Sequence, residues 1–126
     1  MNSRMTRRTA SVLAFLLVSA APVFAQADVA GEWAVTFQTP SGPEDFTMFV
    51  AQNGAKLSGR FTSDVGEFPL TGSVDGSHVK IVWSLPERGK LLEITFTGTI
   101  EGDSITGTAK LDGLGQGPMS AERTGR

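Results

Sequence analysis

Apolar and polar residues alternate with a period of two along most of the chain after residue 30, which is the pattern of half-buried β-strands. Glycine, proline and acid–glycine pairs interrupt this alternation every eight to twelve residues, and no segment places apolar residues at helical spacing over three turns. The pattern predicts eight short strands, at residues 31–39, 45–52, 56–63, 67–74, 78–85, 90–100, 104–111 and 118–123.

A repeated phrase indicates how the strands are joined. The segment Leu70–Gly76 (LTGSVDG) returns as Phe96–Gly102 (FTGTIEG), and each copy carries an alternating strand into an acid–glycine turn. Such pairs supply the positive φ angles of tight hairpin turns. Short turns between consecutive strands make those strands antiparallel neighbours, so the chain is predicted to be a β-meander.

The meander has one apolar face and no predicted helix to cover it. Closing the sheet buries that face and removes both exposed edges, which predicts an all-β, eight-stranded antiparallel up-and-down barrel. A two-sheet β-sandwich is the alternative. Four mid-strand glycines favour the barrel because they share the inward phase, where they permit sharp coiling: Gly59, Gly72, Gly98 and Gly107.

The first 25 residues have the composition of a secretory signal peptide. A basic segment with Arg4, Arg7 and Arg8 precedes an apolar stretch that is too short to span a bilayer, and small residues follow it. Cleavage is predicted after Ala25, with Ala27 as the alternative, which leaves 26–126 as one domain. We expect a bacterial periplasmic or secreted protein with no membrane insertion after cleavage; the Sec and twin-arginine routes both stay open.

Charge and cysteine content narrow the classes of partner. The formal net charge of −2 becomes −5 without the signal segment, because eight basic residues then face thirteen acidic ones. Since no basic patch remains, we expect no nucleic-acid partner. The absence of cysteine excludes disulfides, thiolate metal sites and a cysteine nucleophile.

Residues for catalysis are sparse. His78 is the only histidine, and it directly follows a turn that contains Asp75 and Ser77. Neighbouring residues of one turn rarely converge into a triad, and the acid–glycine pairs are explained by turn formation. The sequence therefore predicts no enzyme activity, no metal site and no cofactor.

The inward phase is rich in aromatic residues, which leads to two functional hypotheses. In the first, the barrel holds a small hydrophobic ligand. In the second, the barrel is filled and the loops bind a protein partner, as an inhibitor or accessory subunit would. The candidate ligand-binding residues are Phe37, Phe46, Met48, Phe61, Phe68, Trp83 and Phe96.

Gly31-Glu32-Trp33 at the start of the first strand and Arg123 in the last strand resemble the lipocalin and wider calycin pattern. The resemblance implies that Trp33 packs against Arg123 and closes the base of an eight-stranded barrel. The chain is shorter than most lipocalins and has no C-terminal helix or disulfide. It is more similar to small exported bacterial lipocalin-like domains, a group without a settled function.

Overall fold

A computed structural model describes residues 25–126, so the predicted signal segment lies outside the described residues except for Ala25. The described part is all-β. No helix long and apolar enough to cross a membrane occurs in it. Its strands are β1 (Gly31–Thr39), β2 (Gly42–Asn53), β3 (Lys56–Ser63), β4 (Gly66–Asp75), β5 (His78–Glu87), β6 (Lys90–Glu101), β7 (Ser104–Leu111) and β8 (Gly115–Gly125).

The strands form a closed barrel in which each strand pairs with its sequence neighbours and β1 also pairs with β8. All pairs are antiparallel. In the closing pair, Val35 lies opposite Ala121 and Phe37 lies opposite Met119. The predicted up-and-down barrel is confirmed, and the sandwich alternative is wrong. Closure is favoured because it leaves no strand edge without a hydrogen-bonding neighbour.

Several strands extend further than the sequence predicts, and in β2 and β5 the extension includes a proline. The predicted strands 45–52 and 78–85 stop short of Pro43 and Pro86, which lie inside β2 and β5. Pro43 pairs with β1, but it lies beyond the end of the ladder between β2 and β3. Pro86 likewise pairs with β6, but it lies beyond the end of the ladder between β4 and β5. Because no hydrogen bond is required beyond the end of a ladder, the missing N–H of proline costs no ladder bond.

Two-residue turns join most of the strands. In the turns after β2, β4 and β6 the first residue is a glycine with φ near +60°: Gly54, Gly76 and Gly102. Positive φ at the first central position is typical of type II′ turns, whose twist matches that of the strands. The repeated acid–glycine phrase therefore places its acid at the end of a strand and its glycine in the turn.

The inward-phase glycines allow adjacent strands to approach closely. A Cβ at Gly59 would overlap the carbonyl oxygen of Phe49 on β2, and one at Gly107 would overlap that of Thr97 on β6. Gly59 also has a backbone φ of +153°, a conformation that residues other than glycine rarely adopt. These contacts agree with the predicted role of the glycines in coiling the sheet.

The segment before β1 closes one end of the barrel. Val29 is fully buried, its carbonyl accepts a hydrogen bond from Trp33 Nε1 at 2.9 Å, and its N–H donates to Gln52 Oε1 at 2.7 Å. Ala27 adds a backbone hydrogen bond to Gly76 at 2.9 Å. Buried side chains of all eight strands fill the barrel from this end to its middle.

Candidate ligand-binding cavity

The two ends of the barrel differ. The turns after β2, β4 and β6 surround the end that the N-terminal segment covers, whereas the turns after β1, β3, β5 and β7 surround the other end. At the second end the inward side chains are only partly buried, including Phe37, Phe46, Leu85 and Leu92. We refer to it as the open end.

A cavity of about 180 Å³ lies inside the open end. Its wall is almost entirely apolar and is contributed by seven of the eight strands, with two carboxylates as the exceptions. The lining residues are Phe37, Glu44, Phe46, Phe61, Trp83, Leu85, Glu87, Leu92, Ile94, Leu111 and Met119.

Four of the seven predicted ligand-binding residues line this cavity: Phe37, Phe46, Phe61 and Trp83. Met48 and Phe96 are buried in the core at 0% and 1% exposure, at levels closer to the closed end. Phe68 lies opposite Phe61 in the ladder and is half-buried, but it does not line the cavity. The seven residues therefore share a face of the sheet without sharing one site.

Sequence reasoning missed the two carboxylates for a local reason. Glu44 precedes Phe46 by two residues and Glu87 follows Leu85 by two, so both continue the inward phase. The predicted strands stop short of both residues, because a proline lies next to each and proline is typical of strand ends. Extending the alternation by one step past each proline would have found both.

Three aromatic side chains form one wall of the cavity. The rings of Phe61 and Trp83 stack with centroids 4.1 Å apart and an interplanar angle of 14°, and Phe46 lies 5.1 Å from Phe61. Trp83 is 3% exposed, and its Nε1 has no hydrogen-bond partner among the described residues. A buried N–H without an acceptor is costly in an apolar setting. The Trp83 N–H is therefore an unpaired donor that the protein encloses, and it is not accessible from the cavity.

Trp33 and Arg123 lie together at the closed end. The guanidinium carbon is 4.4 Å from the centre of the indole, a cation–π distance, and the Arg123 side chain is 4% exposed. Its Nη1 is 3.1 Å from Asp103 Oδ1, and its Nη2 donates to the carbonyl oxygen of Asp28. The pair is thus structural, and it lies at the opposite end from the cavity.

His78 lies away from the cavity. It is exposed on the outer surface, beside an open depression of about 480 Å³ that Asp75 and Lys80 also line. This depression follows the outside of β4–β7 and does not reach the interior. Within residues 25–126, no three histidine or carboxylate side chains are grouped closely enough to hold a metal ion.

No known family model matches the sequence, and no curated protein is significantly similar to it.

Proposed function

We propose that this protein is an exported, non-enzymatic, lipocalin-like binding module that holds one small apolar ligand in the cavity at the open end. The predicted signal segment supports export, and the closed eight-stranded barrel with Trp33 against Arg123 supports the lipocalin resemblance. The observation that carries the binding proposal is the cavity itself. It is apolar and lies in a barrel that is otherwise filled.

The volume of the cavity limits the size of the ligand. Pockets for drug-sized molecules measure about 300–1,000 Å³, whereas an apolar cavity of about 150 Å³ can hold benzene. A volume of about 180 Å³ therefore suits one ring with a short substituent and is too small for a long acyl chain.

Tryptophan fluorescence tests the proposal directly, because the two tryptophans lie at opposite ends of the barrel. Titration with acetophenone and ethylbenzene should give a saturable change in emission that survives in Trp33→Phe and disappears in Trp83→Phe. Calorimetry on Trp83→Phe separates loss of signal from loss of binding. If neither compound binds the wild-type protein at millimolar concentration, the cavity does not function as a ligand site.

Two adjacent leucines provide a matched pair of variants. Leu92 lines the cavity, whereas Leu91 points outward and is 76% exposed. Leu92→Phe should occupy part of the cavity and weaken binding at least tenfold, while Leu91→Phe should leave the affinity unchanged. If both variants bind like the wild type, the ligand lies elsewhere.

One observation favours a second candidate function, the binding of a protein partner through the loops. Val65, Leu91 and Leu114 are exposed by 73%, 76% and 69%, and all three lie on hairpins at the open end. Exposed apolar residues at one end of a barrel can mark an interaction surface. A partner captured from periplasmic extract should be lost when all three are replaced by serine and retained by Leu92→Phe.

A further inference from the structure

Two carboxylates occupy the inward register at the mouth of the cavity. Glu44 is the ladder partner of Phe37, and Glu87 follows Leu85 by two residues. All four residues line the cavity. β2 and β5 lie three strands apart in the closed barrel, so the carboxylates belong to different parts of the rim. The apolar cavity therefore opens between two acidic groups.

The neighbouring charges leave Glu44 available to a ligand. No cation among residues 25–126 lies within ion-pair distance of its carboxylate. Glu87 is 3.9 Å from Arg88 Nε, but that arginine side chain is 94% exposed, and an ion pair so exposed is weak. Lys90 is the ladder partner of Glu87 and adds a further positive charge nearby. Glu44 is thus the main acidic determinant, and Glu87 is the secondary one.

Solubility alone does not explain an inward-facing glutamate. The adjacent Asp45 belongs to the outward register, where it accepts a hydrogen bond from Thr36 Oγ1 at 3.0 Å. Glu44 instead belongs to the inward register, where it is exposed at the rim of the cavity. At such a rim the attraction between opposite charges is stronger than in bulk water, and a negatively charged ligand would be repelled.

Resting on the proposed binding function, we propose that the ligand is a small arylalkyl amine, a single aromatic ring with a short aliphatic chain that ends in an amino group. Its ring occupies the cavity beside Phe61 and Trp83, and its protonated nitrogen reaches the mouth. There the ammonium group donates a charge-assisted hydrogen bond to Glu44, and Glu87 adds negative charge across the mouth. The carboxylates thereby select for positive charge, and the volume of the cavity selects for a single ring.

Three compounds of nearly the same size test the sign of the charge: 2-phenylethylamine, 2-phenylethanol and phenylacetate. Calorimetric titrations at pH 7.5 and low salt should rank the amine at least tenfold tighter than the alcohol, and phenylacetate weakest. The advantage of the amine should shrink as salt is added, because the mouth is open to solvent. An alcohol that binds as tightly as the amine would overturn the amine proposal and leave the cavity function intact.

Substitutions at two adjacent residues of β2 test whether Glu44 causes the preference for the amine. Glu44→Gln should bring the affinity for the amine within about threefold of that for the alcohol, and unchanged alcohol binding would show that the cavity is intact. Asp45→Asn is the matched control and should change none of the three affinities. A Glu44→Gln variant that keeps the full preference for the amine overturns the inference. Failure of all three compounds to bind the wild-type protein overturns the binding function as well.

Discussion

The guanidinium carbon of Arg123 lies 4.4 Å from the centre of the Trp33 ring, and this contact joins the last strand of the barrel to the first. Trp33 also donates a hydrogen bond to Val29, while Arg123 contacts Asp103 and the carbonyl of Asp28. One buried cation therefore connects β8, the β6–β7 turn and the N-terminal segment.

Replacing that cation should destabilise the barrel. We expect Arg123→Ala to lower the free energy of unfolding by about 2–4 kcal/mol, because it removes a cation–π contact and two charge-assisted hydrogen bonds from a buried side chain. Urea denaturation measures the change. Arg126→Ala is the control, since Arg126 also contacts Asp28 and Asp103 but its side chain is 62% exposed. Equal effects of the two variants would contradict a special role for Arg123.

The first residues after the predicted cleavage site should also contribute to stability. Gly76 N–H donates to Gln26 Oε1 at 2.7 Å, Ala27 N–H donates to the Gly76 carbonyl at 2.9 Å, and Gln52 Nε2 donates to the Ala27 carbonyl at 3.0 Å. A chain that begins at Asp28 should be about 1–2 kcal/mol less stable than one that begins at Gln26. Thermal unfolding of the two purified chains measures the difference, and identical midpoints would show that these bonds are frayed in solution.

The stability contributed by Asp28 should depend on pH. A hydrogen bond from Arg126, followed by one from the Ala30 N–H, holds the pKa of Asp28 below its ordinary value of 3.8. Because the folded state favours the ionised carboxylate, this contribution is complete above that ordinary value and is lost as the pH falls through the folded pKa. The difference in unfolding free energy between wild type and Asp28→Asn should therefore shrink between about pH 5 and pH 2. A difference that stays constant over this range would contradict the assignment.

Close strand contact at the inward glycines gives a steric prediction. Gly107→Ala should destabilise the barrel by about 2–4 kcal/mol, because the added Cβ would overlap the Thr97 carbonyl oxygen. Gly125→Ala is the matched control: neither glycine has a positive φ, and the nearest atom to a Cβ at Gly125 is 3.8 Å away. Chemical denaturation of both variants compares them. Equal stabilities would mean that β6 and β7 separate at little cost.

The candidate site could be predicted only in part, and the residues show why. The phase of Phe46, Phe61 and Phe96 follows from alternation, so the inward face was predictable for all three. Their positions along the barrel axis were not predictable, because these depend on the stagger between strands that are far apart in sequence. Phe46 and Phe61 line the cavity, whereas Phe96 fills the core beneath it. Glu44 and Glu87 were not predictable from proline as a strand breaker, because a proline ends a strand only where the ladder that its nitrogen faces needs an N–H.

The sequence by itself determined the strand count, the antiparallel order and the inward face, since period-two alternation and tight turns are local properties of the chain. Only the tertiary structure decided the register in which β1 pairs with β8, the N-terminal segment as the cover of one end, and the cavity with an acidic mouth at the other. These features depend on how side-chain volumes from different strands fill each level of the closed barrel. No local pattern in the sequence specifies the total side-chain volume at each level.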